Sequence, residues 1–100
     1  MKHFLLIYDL APDYLSRRGE FREAHLNMAW AAHDKGELVV GGAMTDPADT
    51  AILMFKAETK DPVEQFAKSD PYVTNGLVKN WRVREWNTVA GSLALNPVKP

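Results

Sequence analysis

One hundred residues, 46% of them hydrophobic and 25% charged, are enough for one domain with a real core and too few for two. A formal net charge of -1 leaves no broad basic field for nucleic acid or an anionic membrane surface, and the absence of cysteine excludes disulfides, thiolate metal sites and a cysteine nucleophile. No stretch approaches the roughly 18 apolar residues of a membrane helix, and Asp9 interrupts the N-terminal apolar run before a signal-peptide core forms, so a cytoplasmic protein is the expectation.

His3 to Tyr8 is short, apolar and aromatic-rich and runs into Asp9-Leu10-Ala11-Pro12; it reads as a strand buried on both faces. Asp13 stands at an N-cap position ahead of helical periodicity over Arg17 to Lys35. Phe21, Ala24, Met28, Ala31 and Ala32 fall at helical spacing and form one apolar stripe. Gly19 weakens the first turn, and Gly36 suits the left-handed residue just past a helix end. Leu38 to Met44 reads as a second strand, in which Gly41 and Gly42 mark a bulge or a close approach of other atoms.

After a turn over Thr45 to Asp49, Thr50 to Lys56 is a third strand, apolar on both sides. Its short connection to the second favours an antiparallel hairpin. Asp61 as N-cap, Pro62 as first helical residue and Glu64 announce a second helix. That helix ends near Ser69, because Pro71 biases Asp70 away from helical geometry. Asn75-Gly76 is a turn, and Leu77 to Thr88 is a fourth strand. In it Trp81 and Val83 alternate with Arg82 and Arg84, before a phase slip places Trp86 after Glu85. Gly91 to Pro100, with two prolines and no periodicity, reads as a tail outside a domain of residues 1–90.

The order strand-helix-strand-strand-helix-strand is the ferredoxin-like α+β arrangement βαββαβ, a four-stranded antiparallel sheet with two helices on one face. Strands one and three are apolar on both faces, yet two helices cover only one. The other face calls for a partner, and the simplest is the same face of a second copy, giving a homodimer joined through the sheets.

Several local features coincide with a known pattern. Arg18, Arg22 and the pair His25-Leu26 resemble the R…HL signature of the YCII family. The segment Gly36-Glu37-Leu38-Val39-Val40-Gly41-Gly42 resembles its G-x-L-x-x-x-G second strand. Ser69-Asp70-Pro71-Tyr72-Val73 resembles its SDPY/F segment, followed by Gly76-Leu77 and a last strand ending in an aromatic, Trp86. The resemblance implies a dimeric α/β-barrel of ferredoxin-like protomers. It further implies a cleft near the first-helix histidine and the aspartate before the proline-aromatic turn. A few members of that family look like enzymes of aromatic-compound degradation, including a dehydrochlorinase, with the His-Asp pair as acid-base machinery. Gly42-Ala43-Met44 departs from the pattern, since many relatives carry proline after the glycine, and this bears on the shape of the cleft rim.

His25 lies beside the apolar stripe, four residues after Phe21 and three before Met28, and so faces the sheet. Such a histidine is either a core residue hydrogen-bonded to a backbone carbonyl or a group whose ordinary near-neutral titration suits proton transfer. Asp70 either caps a short turn of Pro71, Tyr72 and Val73 or orients an imidazole, and one carboxylate can do both. Tyr72 places a phenol beside that carboxylate. Arg18 and Arg22, one turn apart near His25, either bind an anion or pair with Glu20 and Glu23. Gly42 lets a ligand reach the backbone or permits a bulge.

No metal is expected: His25 and His33 would stand about 12 Å apart along a helix, and no metal-binding motif is present. No cofactor is expected either, since glycine-rich phosphate motifs are lacking. Two functions suit this equipment. The first is a small cofactor-free enzyme of lyase or isomerase type, moving a proton on a small, aromatic or hydroxylated substrate with His25 as acid or base. Its cleft wall would include Met28, Tyr72 and the first strand. The second is a non-catalytic dimeric module that binds a small ligand in the same cleft.

Overall fold

The computed structural model describes residues 1–100. β1 (Lys2–Leu10), α1 (Tyr14–Asp34), β2 (Leu38–Ala43), β3 (Thr50–Ala57), α2 (Asp61–Ser69), a one-turn α3 (Pro71–Thr74) and β4 (Val78–Trp86) follow one another along the chain. The four strands form one antiparallel sheet in the order β2-β3-β1-β4, which is the ferredoxin-like topology. No helix is long and apolar enough to cross a membrane.

Period-2 alternation decides which side chains the helices cover. Phe4, Leu6, Tyr8 and Leu10 of β1 are buried on the helix side, beside Leu53 and Phe55 of β3 and Val83 of β4. The opposite face carries Leu5 and Ile7 next to Met54 and Ile52, with Val40 of β2 still 61% exposed and Trp86 of β4 49% exposed. Arg82 and Arg84 lie on that face, and Arg82 pairs with Asp9 at 3.5 Å. One side of the sheet is a closed core, and the other is an apolar strip with a charged border.

Several boundaries differ from the sequence reading. β1 continues through Asp9 and Leu10, because Asp9 pairs with Thr50 and points away from the core. α1 begins at Tyr14, and Gly19 lies within regular helix. Asp13 occupies the N-cap position without a side-chain cap; its carboxylate pairs instead with Arg17 at 3.6 Å. α2 begins at Asp61 with Lys60 at the N-cap, so Asp61 is a first-turn acid rather than the cap. β4 keeps strict register with β1 from Trp81 to Trp86, so no phase slip occurs and Trp86 shares the face of Arg82 and Arg84.

At the end of α1 the amide of Gly36 donates to His33 and that of Glu37 donates to Ala32, with Gly36 at φ +80°. This is the left-handed helix stop expected of glycine there. In β2 the register shifts between Leu38 and Val40, and a Cβ on Gly41 would stand 3.1 Å from the Leu53 side chain. Both the bulge and the close approach are therefore present, and the close approach belongs to Gly41.

Past β4 the chain turns back on itself. Asn96 and Val98 donate backbone hydrogen bonds to Thr88 and Val89, and Thr88 is buried against His3.

Candidate functional site

A cleft of about 930 Å³ opens between α1, the edge strand β2 and the β2–β3 connection, with α3 at one end. Tyr14, Arg18, Arg22, His25 and Ala29 line it from α1 at spacings of three and four, as one helical face must. The expected stripe lies elsewhere. Phe21 and Met28 are half-buried against the core and Ala32 is buried, while Ala24 and Ala31 are exposed. Met28 accordingly lines a separate groove beside Phe66 and takes no part in the cleft wall. The helix carries apolar residues around most of its circumference, and Trp30, 63% exposed, stands at the cleft mouth.

Asp70 is the best-connected side chain in the site. It has no solvent exposure, and a buried carboxylate is tolerable only when its oxygens are satisfied. The Tyr8 hydroxyl donates to Oδ2 at 2.7 Å, and the Tyr72 amide donates to Oδ1 at 3.0 Å. His25 Nδ1 lies 2.8 Å from Oδ1 and 3.0 Å from Oδ2. The break between α2 and α3 positions this group. Pro71 holds Asp70 extended at ψ 124°, so that it caps α3 and still reaches α1. Capping and contact with the histidine thus coexist in one carboxylate.

A carboxylate only accepts, so Nδ1 of His25 donates to it, and in the neutral imidazole Nε2 is then the nitrogen that carries the lone pair. Nε2 has no partner within the protein, and no buried side-chain nitrogen or oxygen lacks one, so Nε2 is open to the cleft. The imidazole is stacked on the Tyr72 ring, with centroids 3.9 Å apart and planes 10° from parallel. Tyr72 in turn meets Tyr14 edge-on at 5.7 Å, and the Arg18 guanidinium lies 5.5 Å over Tyr14.

Electrostatics distinguish the two phenols near Asp70. Burial first, then the charge and hydrogen bond of Asp70, push Tyr8 far above the ordinary tyrosine range. Tyr72 is pushed up to about 12, chiefly by burial and by Tyr14, with Arg22 and Arg18 pulling the other way and Asp70 adding to the rise. Neither Arg18 nor Arg22 forms an ion pair, although Arg17 is tied to Asp13 and to the Asn75 carbonyl. Two unpaired guanidiniums therefore stand on the cleft wall, Arg22 one turn and Arg18 two turns before the histidine.

The structure brings His25, Asp70, Arg18, Arg22 and Tyr72 together, with Gly42 on the facing wall. Gly42 stands opposite Ile52, so a Cβ there would point to the helix-free face of the sheet, where nothing lies within 4 Å of it, and only its backbone borders the cleft. His33 lies at the far end of the cleft with Nδ1 3.3 Å from Asp34, and Asp9 is on the other face of the sheet. Sequence reasoning passed over Tyr8, which reads as one more apolar strand residue. The available signal was its phase in β1, which sends a hydroxyl into the core, where it must find a partner.

A family model described as the YCII-related domain matches residues 1–87. Among solved structures, the chain is similar to the 5-chloro-2-hydroxyhydroquinone dehydrochlorinase TftG of Burkholderia phenoliruptrix AC1100, determined in complex with 2,5-dihydroxybenzoquinone. That match has 26% identity and a TM-score of 0.72, covering 86% of this chain and 94% of that one. Protein Atu4242 of Agrobacterium tumefaciens shares the fold at a TM-score of 0.61 and 13% identity, over 95% of this chain and 100% of that one. No curated protein matches in sequence. With the match running from the first strand through the last, the chain belongs to the YCII-related family.

Proposed function

We propose that this protein is a small cofactor-free enzyme that moves a proton on a small, hydroxylated aromatic substrate, with His25 as the acid-base group. The observation that carries the reading is His25 itself. Its Nδ1 is held by a fully buried carboxylate while Nε2 opens into a cleft with mostly apolar walls. A histidine held in this way has a defined tautomer and an available base. In this reading Nε2 removes a proton from the substrate, and the freed electron pair either expels a leaving group or shifts to another carbon, which takes the proton back from Nε2. The first outcome is elimination and the second isomerisation. Asp70 orients the imidazole and stabilises its cationic form. Arg18 and Arg22 hold the anionic oxygen that the substrate carries or develops. The Tyr72 ring and the backbone at Gly42 form the walls. The dehydrochlorinase activity in the name of the similar TftG supports elimination on a hydroquinone as the first chemistry to test.

The test uses 5-chloro-2-hydroxyhydroquinone as probe, with chloride release as readout. Wild-type protein should release chloride, and His25→Ala should lower the rate by about 10²-fold or more while keeping its circular dichroism. Binding of the probe with no chloride release in either protein would point instead to a ligand-binding module.

We also infer that the working form is a homodimer joined across the open sheet face. Leu5, Ile7 and Ile52, all half-buried, and the exposed Val40 form an apolar strip around the buried Met54 on this face, which the helices do not cover. Sedimentation should give a dimer at micromolar concentration, and Ile7→Asp should convert it to a folded monomer. A wild-type monomer would overturn this inference.

A further inference from the structure

We propose that Tyr8 is a positioning residue of the site: its hydroxyl, donated from the centre of the sheet, fixes the Asp70 carboxylate so that His25 keeps its proton on Nδ1 and presents a bare Nε2 to the cleft. Position 8 of β1 faces the helices in a core of Leu6, Leu53 and Phe55, where phenylalanine would supply the same ring. A phenol there must hydrogen-bond or bear the cost of a buried hydroxyl. Its bond is the 2.7 Å contact to Asp70 Oδ2. Because ionisation of Tyr8 is displaced far upward, the hydroxyl remains a donor throughout the ordinary pH range and does not compete for the proton being transferred.

A carboxylate with one anchor can turn about its terminal torsion, which is broad. Asp70 has two anchors from different elements, Tyr8 of β1 on Oδ2 and the Tyr72 amide of α3 on Oδ1. Together they fix the carboxylate plane and leave both oxygens within 3.0 Å of Nδ1. The Tyr72 ring fixes the plane of the imidazole. Arg18, Arg22, Tyr14, His33 and Asp46 also line the cleft, but none is bonded to Asp70 or to Nδ1. Without the Tyr8 hydroxyl, Oδ2 loses its only partner besides the histidine. The carboxylate is then free to turn on its remaining anchor, and the two imidazole tautomers mix.

The test reads the tautomer directly. In ¹⁵N spectra taken where imidazoles are neutral, and assigned by loss of signals in His25→Asn, wild-type His25 should show a protonated Nδ1 and a bare Nε2. Tyr8→Phe should bring the two signals toward a common average. A Tyr8 with a merely structural role would lower the melting temperature of Tyr8→Phe and leave the tautomer as it was, which would overturn the proposal.

Should Tyr8→Phe not fold, 3-fluorotyrosine at position 8 keeps the core and strengthens the donor. The Nδ1 proton of His25 should then move upfield as Asp70 becomes a poorer acceptor, and an unmoved proton would equally overturn the proposal. The consequence for turnover rests on the proposed role of His25. In Tyr8→Phe, kcat should fall about tenfold with KM within about twofold. A mixed tautomer with kcat intact would support the positioning by Tyr8 and overturn the role of His25 in turnover.

Discussion

Two histidines, His25 in the cleft and His3 beside the returning C-terminal segment, each meet a side-chain oxygen through Nδ1, yet the two bonds run in opposite directions. In each, Nδ1 meets a side-chain oxygen at 2.8 Å from a residue far along the chain. His25 meets a carboxylate, and its second nitrogen is open to the cleft. His3 meets the Thr88 hydroxyl and is 3% exposed, sealed between β1, β4 and the returning C-terminal segment. Thr88 Oγ1 already accepts the Leu95 amide at 3.0 Å, so its single proton is available to Nδ1 of a neutral His3. The partner, the direction of the bond it dictates and the access of the second nitrogen separate a candidate acid-base group from a structural fastener.

Cutting each bond at its partner should give the largest difference between the two regions. Asp70→Ala leaves the Tyr8 hydroxyl, the Tyr72 amide and His25 Nδ1 without their common acceptor, at a cost of about 2–4 kcal/mol. Thr88→Val keeps the shape and leaves His3 and the Leu95 amide short of one partner each, at a cost of about 1 kcal/mol. Chemical denaturation of the two variants measures both. Equal losses would mean that Asp70 is no more central to the fold than the tail latch.

The same contrast explains what could be read from the chain alone. The strands were legible because their alternation is local, as in Phe4, Leu6 and Tyr8 against Leu5 and Ile7. Helix starts were less so. Asp13 and Asp61 look alike as caps, yet Asp13 is drawn into an ion pair with Arg17, and α2 begins at Asp61 itself. The facing of α1 is not legible in the sequence because apolar residues surround the helix, and only the packed sheet selects Tyr14, Ala29 and Ala32 for burial. His25 and Asp70 are 45 positions apart, and no local periodicity joins them; the motif resemblance named both without giving their geometry. Tyr8 and His3 carried no motif, because each owes its role to a partner supplied by a distant element.

A smaller effect tests whether the latch at His3 behaves as a neutral fastener. Burial first, and then the charge of Lys56 across the strand pair, lower the titration of His3 below its ordinary range. The folded protein therefore resists protonation where the unfolded chain accepts it. Stability from this group is complete above the unfolded value near 6.5 and declines as pH falls below it, because the unfolded state then binds the extra proton. Denaturation midpoints taken between pH 8 and pH 5 should fall more steeply for wild type than for His3→Gln, which keeps a polar side chain and cannot titrate. The tail should respond in step, with the Leu95 amide losing protection at the acid end once its exchange is corrected for the intrinsic pH dependence, since a protonated Nδ1 must donate and turns the Thr88 hydroxyl away from its present arrangement. Parallel pH profiles for the two proteins would mean that His3 stays in contact with Thr88 in either protonation state, and that the likeness to His25 extends further than burial alone allows.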